Sequence, residues 1–416
     1  MFFLYQVATL IIVILSPIII IIRLLKKKED KKRFLEKFSL PSKKRKPGKV
    51  IWFHCASVGE ILSIVPLIKN YEKNKKIAQI LITSSTLSSS NIIKKFKFTK
   101  TVHQFYPIDY FFFIHKFLNY WKPNLAIFIE SEIWPSMFIN IKSRKIPLLL
   151  LNARLTKKTF LRWMNLKNFS RSVFNNISAA YPQNSETKLY LKKLKTNQIK
   201  NLGNLKFIEN EKKNLIKLDI KLKKALQKKR IWVASSTHQG EELFCAKAHI
   251  ELKKTVKNLI TIIIPRHIHR VEEIISKINK LNLKISCHSS KVKSLKNTEI
   301  YIVDTFGETK KFHKISRSVF LGGSIIYRGG QNPLEAARFG AKILHGPNVE
   351  NFKDVYKLLK SLNISKQIYT PKELASSITF ARNKKTGKKI KNIGEKILKK
   401  TIKELDNFII NDFKKT

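Results

Sequence analysis

Only three of the 416 residues are cysteine (Cys55, Cys245 and Cys287), too few and too scattered for a disulfide framework or a C-x-x-C metal site. Their scarcity fits a reducing compartment. Glycine and proline are sparse as well, 13 of each, which excludes collagen-like chains. With 43% hydrophobic residues the chain can bury real cores, which excludes a disordered class. Acidic residues number 28 against 83 Lys and Arg, a formal net charge of +55. Such a field favours anionic partners: nucleic acid, an anionic membrane surface or phosphorylated substrates. The basic residues are mostly Lys and are spread along the whole chain, which equally describes solvated faces decorated throughout. No G-x-x-x-x-G-K-[ST] segment occurs, which disfavours a P-loop ATPase.

Charge is missing altogether from residues 1–22. The apolar run there is long enough to cross a bilayer, which takes about 20 residues. Pro17 is tolerated in such a helix. A cleaved signal peptide needs a basic start and a small-residue cleavage site, and neither is present. Positive charge follows instead, at Arg23, Lys26, Lys27, Lys28, Lys31, Lys32 and Arg33. By the positive-inside rule a span here leaves the downstream body cytoplasmic. Residues 1–22 therefore read as a membrane anchor, with an apolar segment lying on the leaflet as the alternative. Residues 23–48 read as a basic juxtamembrane segment drawn to anionic lipid headgroups.

From Lys49 onward, buried runs alternate with amphipathic segments: KVIWFHCAS, AQILITSS, TVHQFYP, NLAIFIE, IPLLLLNA and NISAAYPQ. After a lysine-rich stretch they restart with RIWVASS, NLITIIIPR, LKISCHSS, EIYIVDT, SVFLGGS and AKILHG. That alternation predicts an α/β class with parallel sheets covered on both sides. The expected organisation is a Rossmann-like domain over 49–208, a helical linker over 209–229, a second Rossmann-like domain over 230–383 and a closing helix over 384–416. Two such domains facing each other put their strand-end loops around a central cleft, where ligands bind.

Glycines concentrate in GGSIIYRGGQNPLEAARFG (322–340), where Gly322, Gly323, Gly329 and Gly330 fall within nine residues. Glycine lets backbone approach a ligand and offer N–H donors. Asn332 and Pro333 then open a helix, whose start suits a phosphate. Glu335 is placed for ribose hydroxyls, or simply complements the helix dipole. Arg266, ending a buried strand beside His267, suits a phosphate or a surface ion pair. His267 and His269 lack a third ligand, so no metal is expected there. Ser235, Ser236 and Thr237 precede another helix and either contact ligand or cap it. Gly307 gives the loop Asp304–Glu308 a point of close approach.

In the first half HCASVGE (54–60) brings Gly59 and Glu60 to a helix start. Glu60 reads either as a general base or as a favourable helix charge. FIESEIWP (128–135) leaves a strand with Glu130 and Glu132, and LNARLT (151–156) supplies Asn152 and Arg154 for a phosphorylated acceptor.

SVGE, ESEIWP, NARLT, GNLKF (203–207), STHQGEE, PRH, DTFGE and GGS…RGGQNPLEAA occur in one order across about residues 49–355. Together with the apolar start, this resembles the bacterial 3-deoxy-D-manno-octulosonic acid (Kdo) transferases. The resemblance implies a glycosyltransferase B fold and inverting transfer of Kdo from CMP-Kdo to a lipid A precursor (lipid IVA), without a metal or other cofactor. It places the work at the cytoplasmic face of the inner membrane, on a single-pass chain beside anionic lipids, with no nucleic acid partner. Glu60 would be the general base, with Ser57, Gly59, Glu130, Glu132, Asn152 and Arg154 on the acceptor side. Ser236, Thr237, Arg266, His267, Gly307, Gly329, Gly330, Asn332 and Glu335 would hold the donor. The family usually carries His where this chain has Gln331, and its GPH-like segment reads Gly346-Pro347-Asn348 here. The alternatives are another sugar-nucleotide transferase of the same fold, heptosyltransferase-like, or a membrane-tethered nucleic-acid-binding protein drawn by the charge.

Overall fold

A computed structural model describes residues 1–208, 218–290, 295–381 and 383–413, with backbone only at 384 and 411–413. The chain divides into two compact units, Met1–Asn210 with Gly394–Thr416, and Glu211–Ile393.

The first unit is built on a parallel sheet of seven strands: β1 (Val50–His54), β2 (Gln79–Ser84), β3 (Thr101–Phe105), β4 (Leu125–Ile129), β5 (Leu148–Ala153), β6 (Ala179–Pro182) and β7 (Gln198–Ile199). Their spatial order is β3-β2-β1-β4-β5-β6-β7. Every residue of β1 and β4 is buried, as a sheet covered by helices on both faces requires. Trp52, Phe117, Trp121, Phe128 and Phe138 fill the core on one side of it. Burying each such side chain contributes about 1.5–3 kcal/mol.

The second unit carries β8 (Arg230–Thr237), β9 (Leu259–Pro265), β10 (Ile285–Cys287), β11 (Ile300–Ile302), β12 (Ser318–Leu321), β13 (Lys342–His345) and β14 (Ser365–Gln367), in the order β10-β11-β9-β8-β12-β13-β14, all parallel. The two Rossmann-like α/β sheets read from the sequence are therefore present, and each gains a short outer strand, β7 or β14. In the linker, residues 209–217 lie outside the described residues, and a helix spans Ile220–Leu226. The closing helix runs Lys384–Phe413 and from Gly394 onward belongs to the first unit.

The amino-terminal helix α1 (Phe2–Leu25) is long and apolar enough to cross a membrane, with a mean hydropathy of 2.8. It is not a free tether. Buried or half-buried residues recur at positions 2, 6, 9, 13, 16, 20 and 23, one stripe at helical spacing, while Ile11, Ile14, Ile18 and Ile21 are exposed. The stripe contains polar groups that a lipid-facing surface excludes: Gln6, Thr9 and Ser16. The basic segment that follows is folded onto the same unit. Arg33 donates to the backbone oxygen of His103 (2.7 Å), and Glu36 accepts from the N–H of Phe105 (2.8 Å).

Candidate active site

In each sheet the chain reverses its direction of build at one point, between β1 and β4 and between β8 and β12. Loops leaving the strands there frame a crevice that β–α packing leaves open. His54 pairs with Phe128 across β1 and β4, so the segments 55–60 and 130–134 emerge side by side.

Helix α2 (Val58–Glu72) starts in that place with Ser57 as N-cap. The N–H of Glu60 donates to Ser57 Oγ (3.3 Å), while Ser57 Oγ–H and the N–H of Ala56 donate to the two Glu60 carboxylate oxygens, each at 2.8 Å. This is a variant of the capping box, with the carboxylate reaching the N–H before the N-cap, so Glu60 does serve the helix start. It does not exhaust the residue. Burial raises the carboxyl to about 7 against the two donors that lower it, and Glu130 and Glu132 add to the rise. A carboxylate that exchanges its proton near neutrality is suited to general-base work.

Glu130 has left-handed backbone (φ 57°) and is nearly buried. Its Oε1 lies 2.7 Å from Lys206 Nζ and 3.4 Å from Asn152 Nδ2. Asn152, also left-handed (φ 53°), accepts from the N–H of Leu205 at 3.0 Å. Its amide is spent holding Glu130 and the turn that bears Lys206. Asn152 thus supports Glu130 from below, a role that the sequence reading did not include. Arg154 is half-buried, and its guanidinium makes no hydrogen bond or ion pair among the described residues, which leaves it open to an anion.

Glu132 Oε2 lies 3.2 Å from His54 Nε2 and accepts from Trp134 Nε1 at 3.0 Å. Burial works to raise this carboxyl, but His54 and Trp134 outweigh it and hold it below the usual range. His54 is fully buried, which keeps its imidazole below its ordinary value. Its Nδ1 faces Thr83 Oγ1 at 2.9 Å, and Thr83 Oγ1 accepts from Trp52 Nε1 at 2.8 Å. The network assigns the hydroxyl proton to Nδ1 and the ring proton to Nε2, toward Glu132. Gly59 has ordinary helical backbone, and a methyl there would meet nothing closer than Ser57 Oγ at 3.9 Å. Its lack of a side chain leaves the start of α2 uncovered beside Glu60.

In the second unit Leu321 pairs with Ser235, which brings the ends of β12 and β8 together. Glu241, fully buried, accepts from the N–H groups of His238 (2.9 Å), Gly323 (2.7 Å), Ser324 (3.0 Å) and Ile325 (3.0 Å). One carboxylate thus pins the glycine loop. At Gly322 a methyl would stand 2.4 Å from the backbone oxygen of Ser236, so only glycine fits. Ser236 itself is left-handed (φ 57°) and Thr237 is buried. The next helix begins at Glu241 with Gly240 as N-cap, so the hydroxyls at 235–237 do not cap it.

Exposed Arg266 and His267 follow β9. The His267 ring lies 5.7 Å from that of His238, whose Nε2 is buried without a hydrogen-bond partner. Burial, then His267, Arg328, Arg266 and Arg270, hold His238 below its ordinary pKa. The three arginines gathered around it, Arg266, Arg270 and Arg328, give this corner a positive field that suits an anion. Gly307 (φ 86°) faces open space and suits close approach. Gly329 and Gly330 do not: methyl groups there would meet Asn351 Nδ2 at 2.4 Å and Val349 Cα at 3.1 Å. They admit the chain's own loop, a packing reason for glycine that the sequence reading did not include. Asn332 Oδ1 accepts from the N–H of Leu334 (3.0 Å). The helix it opens spans only Leu334–Arg338, too short to build the dipole expected to hold a phosphate. Glu335 Oε1 lies 3.9 Å from Lys310 Nζ. Among the described residues no group of three or more His, Cys, Asp or Glu is placed to hold a metal ion.

Sequence reasoning missed His54, Lys206, His238 and Glu241, although HCASVGE, GNLKF and STHQGEE contain them.

A family profile described as 3-Deoxy-D-manno-octulosonic-acid transferase (kdotransferase) matches residues 32–209. The chain is 35% identical to the 3-deoxy-D-manno-octulosonic acid transferase of Rickettsia felis, over 86% of this chain and 77% of that one. It is 30% identical to the Haemophilus influenzae enzyme of the same name, over 75% and 74%. Among solved structures, the UDP-GlcNAc 2-epimerase of Neisseria meningitidis bound to UDP-GlcNAc aligns with 87% of this chain and 100% of its own. Its TM-score is 0.56 at 11% identity, a likeness of fold alone. With its Rossmann-like sheets and the ordered motifs at both crevices, the chain belongs to the Kdo transferases and is a glycosyltransferase.

Proposed function

We propose that this enzyme moves Kdo from CMP-Kdo to a lipid A precursor, lipid IVA, with inversion at the anomeric carbon. Second-unit residues take the donor, and first-unit residues take the acceptor and its proton. The observation that carries the reading is Glu60: a carboxylate held by the Ala56 N–H and the Ser57 hydroxyl, at a pKa of about 7.

In this mechanism Glu60 removes the proton from a primary hydroxyl of the acceptor sugar as that oxygen attacks the anomeric carbon. The bond from that carbon to the phosphate oxygen breaks, and CMP leaves with the electron pair. Charge deficiency builds at the sugar ring and negative charge at the phosphate, as in other glycosyl transfers. Fixed cations and N–H groups stabilise the leaving charge without reorganising. Arg266 supplies a fixed cation here and the rings of His267 and His238 offer hydrogen bonds beside it, with Gly307 and the Ser236–Thr237 end of β8 against the nucleotide and Asn332 and Glu335 beside the ribose. Glu130 and Glu132 hold acceptor hydroxyls, and Arg154 takes an acceptor phosphate. No metal enters this reading. The apolar face of α1 and the lysines that follow it support attachment to an anionic leaflet, the cytoplasmic face of the inner membrane, where a lipid acceptor is found.

The test is incubation of the purified full-length protein in detergent with CMP-Kdo and lipid IVA, with the products weighed. Kdo-bearing lipid and free CMP are expected, and CMP rather than UDP should compete for the donor site. Absence of turnover, or preference for UDP, would overturn the proposal and favour another sugar nucleotide.

Because the base must be ionised, kcat/KM should be low below pH 7 and rise through it to a plateau. Glu130→Gln removes a negative charge that raises Glu60. The acid limb should therefore move to lower pH in that variant, whatever the loss in rate. An unmoved limb would assign it to a different group.

A further inference from the structure

Asp109 lies just past β3, nearly buried, and takes three hydrogen bonds. Its Oδ2 accepts from the Tyr5 hydroxyl of α1 (2.6 Å) and from the N–H of Ser136 (3.0 Å), and its Oδ1 accepts from the N–H of Met137 (2.9 Å). Ser136 and Met137 open the helix Pro135–Ser143, whose first N–H groups have no partner within the helix. Gln6 Nε2 of α1 donates to Ser136 Oγ at 2.6 Å. Phe2 and Tyr5 set their rings 6.5 Å and 6.0 Å from Phe169. The helix that Asp109 caps follows Trp134 directly, and Trp134 donates to Glu132. The Trp134 ring packs 5.1 Å from Tyr106, which packs 4.0 Å from His54, the other partner of Glu132.

We propose that the start of α1 is a working part of the acceptor half of the site: Tyr5 and Asp109 are positioning residues that clamp the helix Pro135–Ser143 and through it fix Glu132 and Trp134. A membrane anchor needs no half-buried tyrosine with its hydroxyl on a buried carboxylate, nor a glutamine bonded to the body. A carboxylate this deep stays ionised only while its donors are in place. Burial already lifts Asp109 to about 7. Taking away the Tyr5 hydroxyl leaves two backbone donors, favours a proton on Asp109 and turns charge-assisted caps into weaker neutral ones. The loosened segment is the one that carries Glu132. The inference rests on the acceptor role proposed for Glu132.

The experiment uses the full chain in detergent micelles, where attachment to a bilayer plays no part. Wild type, Tyr5→Phe and the double variant Ile11→Ser/Ile18→Ser, which alters only the exposed face of α1, are compared. Amide hydrogen exchange at Ser136 and Met137 and the kinetic constants for each substrate are read together. Tyr5→Phe should speed exchange at both amides and lower kcat/KM for the acceptor, each by about tenfold, with donor KM unchanged. The double variant should match wild type in both readouts. Wild-type exchange in Tyr5→Phe would overturn the clamp. Faster exchange with wild-type kcat/KM would overturn its link to Glu132. A wild type that transfers no Kdo would overturn the activity reading and not the clamp, which exchange reads by itself.

Discussion

Glu60→Gln should lower kcat for Kdo transfer by about 10²–10⁴-fold, the range a positioned general base supplies. The substitution keeps the shape of the side chain and leaves a carbonyl to accept one of the two donors that Glu60 now holds, the Ala56 N–H or the Ser57 hydroxyl. Loss of the other of these two hydrogen bonds costs about 1 kcal/mol, too little to unfold the unit. The variant should therefore fold and bind CMP as wild type does, and its rate should lack the limb near pH 7. Single-turnover rates alongside CMP titrations check this. A Gln variant within a few-fold of wild type would return Glu60 to the role of a helix cap and nothing else.

The second large effect is expected at Arg266. Its guanidinium is exposed and has no hydrogen bond or ion pair among the described residues, so its removal breaks no internal structure. A charge-assisted contact to a phosphate contributes about 1.5–3 kcal/mol. Arg266→Ala should accordingly raise donor KM by about 10–100-fold and leave acceptor KM alone. Arg266→Lys should recover only part of this, because an ammonium cannot meet two phosphate oxygens in one plane. Equal losses for both substrates would show that the arginine acts on something other than the donor.

The sheets were legible because most of their strands, the central ones above all, are buried on both faces and read as apolar runs. All twelve runs are strands. The two that escaped, Gln198–Ile199 and Ser365–Gln367, are outer strands of two and three residues in which a polar residue takes half or more of the positions, so no apolar run marks them. In the site, residues at strand ends stood out: Glu60, Glu130, Glu132 and Arg266 each follow a buried run. Their supports did not. His54 reaches Glu132 across 78 positions and Glu241 reaches Gly323 across 82, and no local spacing encodes such contacts. Within a strand His54 looks like any buried polar residue, and Glu241 like a first-turn helix acid. The glycine cluster has a cause its density did not reveal: Gly322, Gly329 and Gly330 are required by backbone and side chains of the same unit.

The turned backbone at Glu130 and Asn152 has an evolutionary corollary. Holding a non-glycine residue in that conformation costs on the order of 1–2 kcal/mol, and glycine would recover it. Selection for heat resistance alone would drift toward Gly at position 130 and reward each step. The result would be a protein relieved of backbone strain but stripped of the carboxylate that Lys206 and Asn152 hold, so robustness and chemistry would pull position 130 in opposite directions.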